Sequence, residues 1–368
     1  MDHADFPRYQ QDSTLFREMN ARAAKRVKAI AEDRSRYMKA KAFILPAIYF
    51  GCYATALFNG DRPWLYTALF VAMGITVVLI YLNLIHEAAH GSIFKTRRYN
   101  RWVLHLFDLV GANSFIWQKR HIESHHNFPN VDGWDTDMAQ SGPIKVYPHG
   151  QAKGMQRYQD KYIIFIYPLY LFNWMLLRDF RDFFSKDRII YKVHGPIPPW
   201  EKVKLILFKL FYFFYQIAVP VLFFKVSFGL ALGAWALQIL VASIFALFVL
   251  LPLHPLPDNA YPLPDADHML PYSWLVHQLE VTNDLRENNW VIRHVLGNFN
   301  YHVVHHLFPM YSYPYYRELT EELVAFTREK GLPYKRIPLT TALWKHYQLL
   351  RMNARNQPLR HVFEHLDS

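Results

Sequence analysis

Cysteine is almost missing from this 368-residue chain, where Cys52 stands alone. One thiol excludes an intramolecular disulfide, a cysteine-ligated zinc ribbon and an iron–sulfur cluster built within the chain. Nucleotide signatures are missing too, since no G-x-G-x-x-G follows a strand pattern and no Walker loop occurs. Residues 1–41 hold no apolar h-region of a secretory signal, which leaves the N-terminus expected in the cytoplasm.

Apolar and aromatic residues, by contrast, are plentiful at 52% and 17%, and they come in blocks. Runs of spanning length cover residues 42–58, 64–85, 203–224 and 228–253, with a shorter block at 162–177. The composition and the blocks predict a polytopic integral membrane protein. Positive charge then orients it: the loops at 59–63 and 225–227 contain only Arg62 and Lys225 of the 41 Lys and Arg. Those loops face out and the rest faces the cytoplasm. The net charge of +11 is explained by this asymmetry, without nucleic acid.

The fifth block contains Pro168 and Asn173 and is bounded by Lys161 on one side and Arg178 and Arg181 on the other. Cations at both ends suit a segment in the cytoplasmic interface better than a span. The expected fold is therefore an all-α membrane protein of four transmembrane helices in two hairpins. A helical cytoplasmic cap, residues 86–202 and 254–368, completes the membrane domain at 42–368. Residues 1–41, rich in Lys and Arg, read as a basic amphipathic helix on anionic headgroups or as a solvated tail. A helix is expected from about Arg317 to Lys330, followed by a basic tail.

Histidine is the other abundance. With 19 His in 368 residues, a third His three or four positions before an HH pair should occur only about 0.1 times by chance, yet HIESHH (His121, His125, His126) and HVVHH (His302, His305, His306) both show it. HEAAH adds His86 and His90 where the second span ends. On an α-helix, spacings of three and four share a face, so His86 with His90, His121 with His125, and His302 with His305 or His306 can each point at one spot.

Imidazole suits zinc, copper, iron and nickel alike. A single zinc takes three or four protein ligands and would leave most of these histidines unused, whereas two metals with four or five each account for them. A redox pair of irons with open positions would let a site at the membrane surface use oxygen against an unreactive lipid chain. Two rivals compete. HEAAH also fits the H-E-x-x-H zinc-protease motif, with Asp132 as a third ligand, but that reading abandons seven of the nine histidines once His254, at the end of the fourth span, is counted. A His-rich metal transporter would need His or acidic residues in mid-membrane, and the centres of the four spans contain none.

HEAAHGS, NSFIWQKRHIESHHNFPNVDGWDTD and NYHVVHHLFP resemble the three histidine boxes of the membrane fatty acid desaturase family. RYQDKYIIFIYPLYLFNWMLLRDFRDFF resembles its interfacial segment between boxes two and three, and HQLEVTNDL its stretch before box three. The resemblance covers roughly residues 80–335. It implies a histidine-ligated di-iron centre, two iron ions in all, that uses oxygen and two electrons to insert a double bond in a fatty acyl chain. The implied ligands are His86, His90, His121, His125, His126, His302, His305 and His306, with His254 as the ninth and His277 as its runner-up. No catalytic residue beyond these ligands is implied. Asp135 and Asp137 correspond to acidic positions that would orient ligand rings. A lipid hydroxylase or acetylenase of the same kind is the alternative outcome.

Two departures stand out. Box three begins with His302 where front-end relatives often have Gln, which leaves regiochemistry open, and no His-Pro-Gly-Gly of a fused cytochrome-type domain occurs. The chain is thus expected to need a separate ferredoxin- or cytochrome-type electron donor with its reductase. Lys95, Arg97, Arg98, Lys119 and Arg120 are its expected landing surface.

Overall fold

The computed structural model describes residues 4–30, 34–138 and 142–359. Among them the apolar blocks form helices, as a chain in hydrocarbon must to satisfy its own backbone. Among the described residues five helices are long and apolar enough to cross a membrane: Arg36–Leu57, Pro63–Ala89, Gly154–His194, Pro199–Phe224 and Phe228–Leu250. Four coincide with the expected spans, and the fifth is the 41-residue run that contains the block at 162–177. That run is not one regular helix, for it passes through a 3₁₀ turn at Tyr167–Leu169 and a π turn at Trp174–Arg178. Pro168, which has no N–H to donate, sits in the first of these breaks.

The chain divides into two compact units. One, residues 34–119 and 164–247, contains most of the apolar helices. Several polar side chains inside it are hydrogen-bonded to one another or to backbone carbonyls, as hydrocarbon surroundings favour. Tyr49 Oη lies 3.1 Å from Tyr215 Oη and accepts from Gln216 Nε2 at 2.9 Å and Gln238 Nε2 at 3.3 Å. Lys209 Nζ donates to Asp179 Oδ2 at 2.9 Å and to the Gly111 carbonyl at 2.6 Å. The Pro63–Ile80 and Phe228–Leu250 helices touch through Gly74, where an added Cβ would stand 2.4 Å from the Gln238 carbonyl oxygen. Only glycine permits that approach.

The other unit, residues 1–33, 120–163 and 248–368, is built differently. Short helices and loops surround the box-three helix His302–Leu307, and a two-residue parallel ladder pairs Asp284–Leu285 with Arg336–Ile337. Its N-terminal helix, Gln10–Lys28, is neither a solvated tail nor only a lipid-facing one. It packs on Tyr316–Lys330, where Arg22 meets Glu329 at 2.7 Å and Arg26 meets Glu321 at 3.3 Å. Phe16 packs edge-on to Trp274 and stacks on buried Phe308, so the basic helix is held by apolar contact as well as by carboxylates. The expected basic tail after Lys330 also proves to be structured as far as the Leu339–Ala354 helix.

Candidate metal centre

Box two lies on a π turn, Lys119–His125, rather than an α-helix. Its marker is the i→i+5 bond from His126 N to the His121 carbonyl at 2.9 Å. This widened turn corrects the expected pairing. His121 meets His126, five residues on, with Nε2 to Nε2 at 3.2 Å. His125 points into a different group, although its ring stacks 5.6 Å from that of His121. Box three is α-helical, and there His302 meets His306 at 3.2 Å, whereas His305 reaches His126 at 2.9 Å.

Within this unit two clusters result. His125, His254, His302 and His306 are all buried and bring one ring nitrogen each within 4.8 Å of the others. His121, His126 and His305 form the second convergence, also buried. His254 is not on the Phe228–Leu250 helix but in the irregular Pro-rich turn after it. In the other unit, His86 and His90 sit where the Pro63–Ala89 helix leaves its π turn Tyr81–Ile85, with ring centroids 5.4 Å apart. His86 Nδ1 lies 3.5 Å from Glu87 Oε1.

The outward nitrogens fix the tautomers. His121 Nδ1 bonds Asp137 Oδ2 at 2.9 Å, and His125 Nδ1 bonds Asp135 Oδ2 at 2.9 Å. His254 Nδ1 donates to the Val281 carbonyl at 3.2 Å, His306 Nδ1 to Gln278 Oε1 at 3.1 Å, and His305 Nδ1 meets Tyr316 Oη at 2.9 Å. A carbonyl or carboxylate can only accept, so Nδ1 of His121, His125, His254 and His306 holds the hydrogen and Nε2 of each presents a lone pair. Lone pairs then face each other at 3.1 Å between His254 and His306, and His302 Nε2 lies 2.8 Å from His254 Nε2. A metal ion among them would relieve that repulsion, and the donor set fits a metal whose ligand rings are oriented from behind.

Electrostatics agree. Burial pushes His254 and His306 well below the ordinary imidazole value, helped by His125 in the first case and His126 in the second. Neutral imidazole is the ligand form. Burial also opposes charge on His125, but Asp135 outweighs it and the net direction is upward. Burial lifts Asp284 to about 6 against its hydrogen bond from Tyr334, and its Oδ1 caps the box-three helix by accepting from Val303 N at 2.8 Å.

Other sequence expectations fare unevenly. His277 lies outside both clusters: its Nε2 donates to the Pro129 carbonyl at 3.0 Å, and burial lowers it to about 4. Arg120 is 0% exposed and so cannot belong to a landing surface, whereas Lys95, Arg97 and Arg98 are exposed. Gln278, Tyr316 and Asn130 were not anticipated. Gln278 is next to His277, yet it is the one that bonds His306 and, through Nε2, the His126 carbonyl at 3.1 Å.

Comparison with known proteins bears on the same region. The fatty acid desaturase family model matches residues 62–338. An acyl-lipid (8-3)-desaturase of the moss Physcomitrium patens is 28% identical over 86% of this chain and 66% of its own length. An sn-1 linoleoyl-lipid 6-desaturase of Arthrospira platensis is 25% identical over 81% of this chain and 80% of its own. An acyl-lipid (8-3)-desaturase of Dictyostelium discoideum is 25% identical over 94% and 77%.

Proposed function

The chain belongs to the fatty acid desaturase family, and from that premise we propose that it inserts a double bond into a fatty acyl chain held on a membrane lipid. The observation that supports this most is the convergence of imidazole nitrogens in two buried clusters. The proposed ligands of two irons are His86, His90, His121, His125, His126, His254, His302, His305 and His306. Iron, when bound, supplies oxygen activation and the redox change that removing two hydrogens from an unactivated chain requires.

The protein's own part is holding and orienting. Asp135 and Asp137 fix the rings of His125 and His121, and Val281, Gln278 and Tyr316 fix those of His254, His306 and His305. Burial shields these histidines from water and favours the neutral imidazole at His254 and His306, while Asp135 draws His125 the other way. An acyl-lipid substrate is favoured by the names of the relatives, all of them lipid-acting desaturases in the cases compared. Oxygen and a separate electron donor with its reductase complete the reaction, and the lysine and arginine asymmetry favours a cytoplasmic site.

Four membrane crossings rather than five are favoured by one further argument. His126 precedes the Gly154–His194 run, His305 follows it and two more apolar helices, and the two rings meet at 2.9 Å. Side chains that meet lie on one side of the bilayer, so an even number of crossings separates them. Pro199–Phe224 and Phe228–Leu250 supply two, which leaves Gly154–His194 in the interface.

The test is expression in a host of known lipid composition, followed by mass spectrometry of acyl chains from separated lipids, acyl-CoA and acyl carrier protein. A new double bond first appearing in intact lipid, and not with His305→Ala, is expected. A hydroxylated or acetylenic product, or labelling of acyl-CoA first, would contradict it.

A further inference from the structure

Asn130 is 0% exposed and has a backbone φ of 60° in the loop that follows box two. Asparagine tolerates this left-handed conformation better than most residues. Its backbone N–H donates to Asp135 Oδ2 at 2.9 Å, the same oxygen that orients His125. Its side-chain Nδ2 faces three carbonyls, of Ala260 at 3.1 Å, Val281 at 3.2 Å and His254 at 3.4 Å. The Val281 carbonyl is the acceptor of His254 Nδ1. Asn130 Oδ1 accepts nothing among the described residues, so the side chain serves through its two donors alone.

One residue therefore grips the carboxylate behind His125 with its backbone and the peptide groups that carry and orient His254 with its side chain. Those two rings meet edge to face at 4.6 Å in the four-histidine cluster. No hydrogen bond of Asn130 goes to His121, His126 or His305, or to Asp137 and Tyr316 behind them. We propose that Asn130 is a positioning residue that sets the geometry of one metal site and leaves the other alone. This rests on the two-metal reading above.

Two substitutions separate the parts. Asn130→Asp keeps the shape but turns carboxylate oxygens toward three carbonyls. Asn130→Gly keeps the left-handed backbone and its N–H while removing the side chain. Wild type and both variants, as full-length protein in detergent, are loaded anaerobically with ⁵⁷Fe, examined by Mössbauer spectroscopy and then challenged with a chelator. In both variants one iron should leave at least about tenfold faster than in wild type, as expected when a group behind a ligand is lost. One component of the spectrum should change with it, and the other should not. Should Asn130→Asp fail to fold, Asn130→Gly decides alone.

Release of both irons at wild-type rates with an unchanged spectrum would overturn the proposal. Equal acceleration of both would overturn it as well, since that is what general loosening of the fold produces. The wild-type arm tests the two-iron reading by itself. Should wild type load a different divalent ion, the ratio of variant to wild-type release of that ion still tests Asn130.

Discussion

His121 and His126 stand five residues apart and face each other at 3.2 Å, Nε2 to Nε2, while His125 between them turns to another cluster. The π turn makes this division, because its extra residue moves His125 off the face shared by the other two. Deleting the exposed Glu123 restores α-helical phase, which sets His121 and His126 four apart and brings His125 onto their face. Elemental analysis of the deletion variant should show about one iron fewer per chain than wild type, as for the loss of a ligand. Undiminished iron would mean that the turn is incidental.

Asp135 and Asp137 differ in what depends on them. Asp135 accepts from His125 and from the backbone N–H groups of Asn130, Asp137 and Met138, whereas Asp137 holds His121. Asp137→Asn should weaken metal binding about 10- to 100-fold and change metal-free stability by less than about 1 kcal/mol. Asp135→Asn should do the former and also leave buried donors unpaired at about 1–3 kcal/mol each. Metal competition titrations and thermal melts of the metal-free protein read the two effects separately. Equal melts for the two variants would refute the distinction.

Sidedness can be read with single cysteines placed in a Cys52→Ser background. Four crossings put Asp61 and Lys225 outside and Asn288 inside, and all three are exposed. Five crossings would keep Asp61 outside but exchange the other two. Labelling of Asn288→Cys from the outer face is the result that rejects four crossings.

His346 is buried and donates from Nδ1 to the Pro255 carbonyl at 3.0 Å, and burial lowers it to about 4. A histidine whose folded value is depressed stabilises the fold above its unfolded value, and that stability drains away as pH falls from about 6.5 toward 4. Relative to His346→Gln, which cannot titrate, the metal-free wild type should lose about 2 kcal/mol between pH 7 and pH 5. A pH-independent difference in melting between the two would refute this account.

Much of the site was legible in the sequence because histidine is rare enough for three clusters to be informative, and because apolar length and lysine and arginine placement report the membrane directly. What failed did so for physical reasons. Counting by α-helical period could not see a π turn at Lys119–His125, so His121 was paired with His125. His254 and His277 both precede box three in sequence, and only the packing of the turn after Leu250 decides that His254 enters the cluster while His277 bonds Pro129. Arg120 looks like its exposed neighbours in a charge count, yet its burial is a tertiary fact. The basic run of Gln10–Lys28 suggested lipid because its partners, Glu321 and Glu329, lie roughly 300 residues away in the chain.

The most direct measurement is iron per chain in anaerobically loaded protein, taken for wild type, His254→Ala and His305→Ala. These two histidines belong to different clusters, so about two irons are expected in wild type and about one in each variant. One zinc and no iron in wild type, or two irons retained in both variants, would contradict a di-iron centre divided between these clusters.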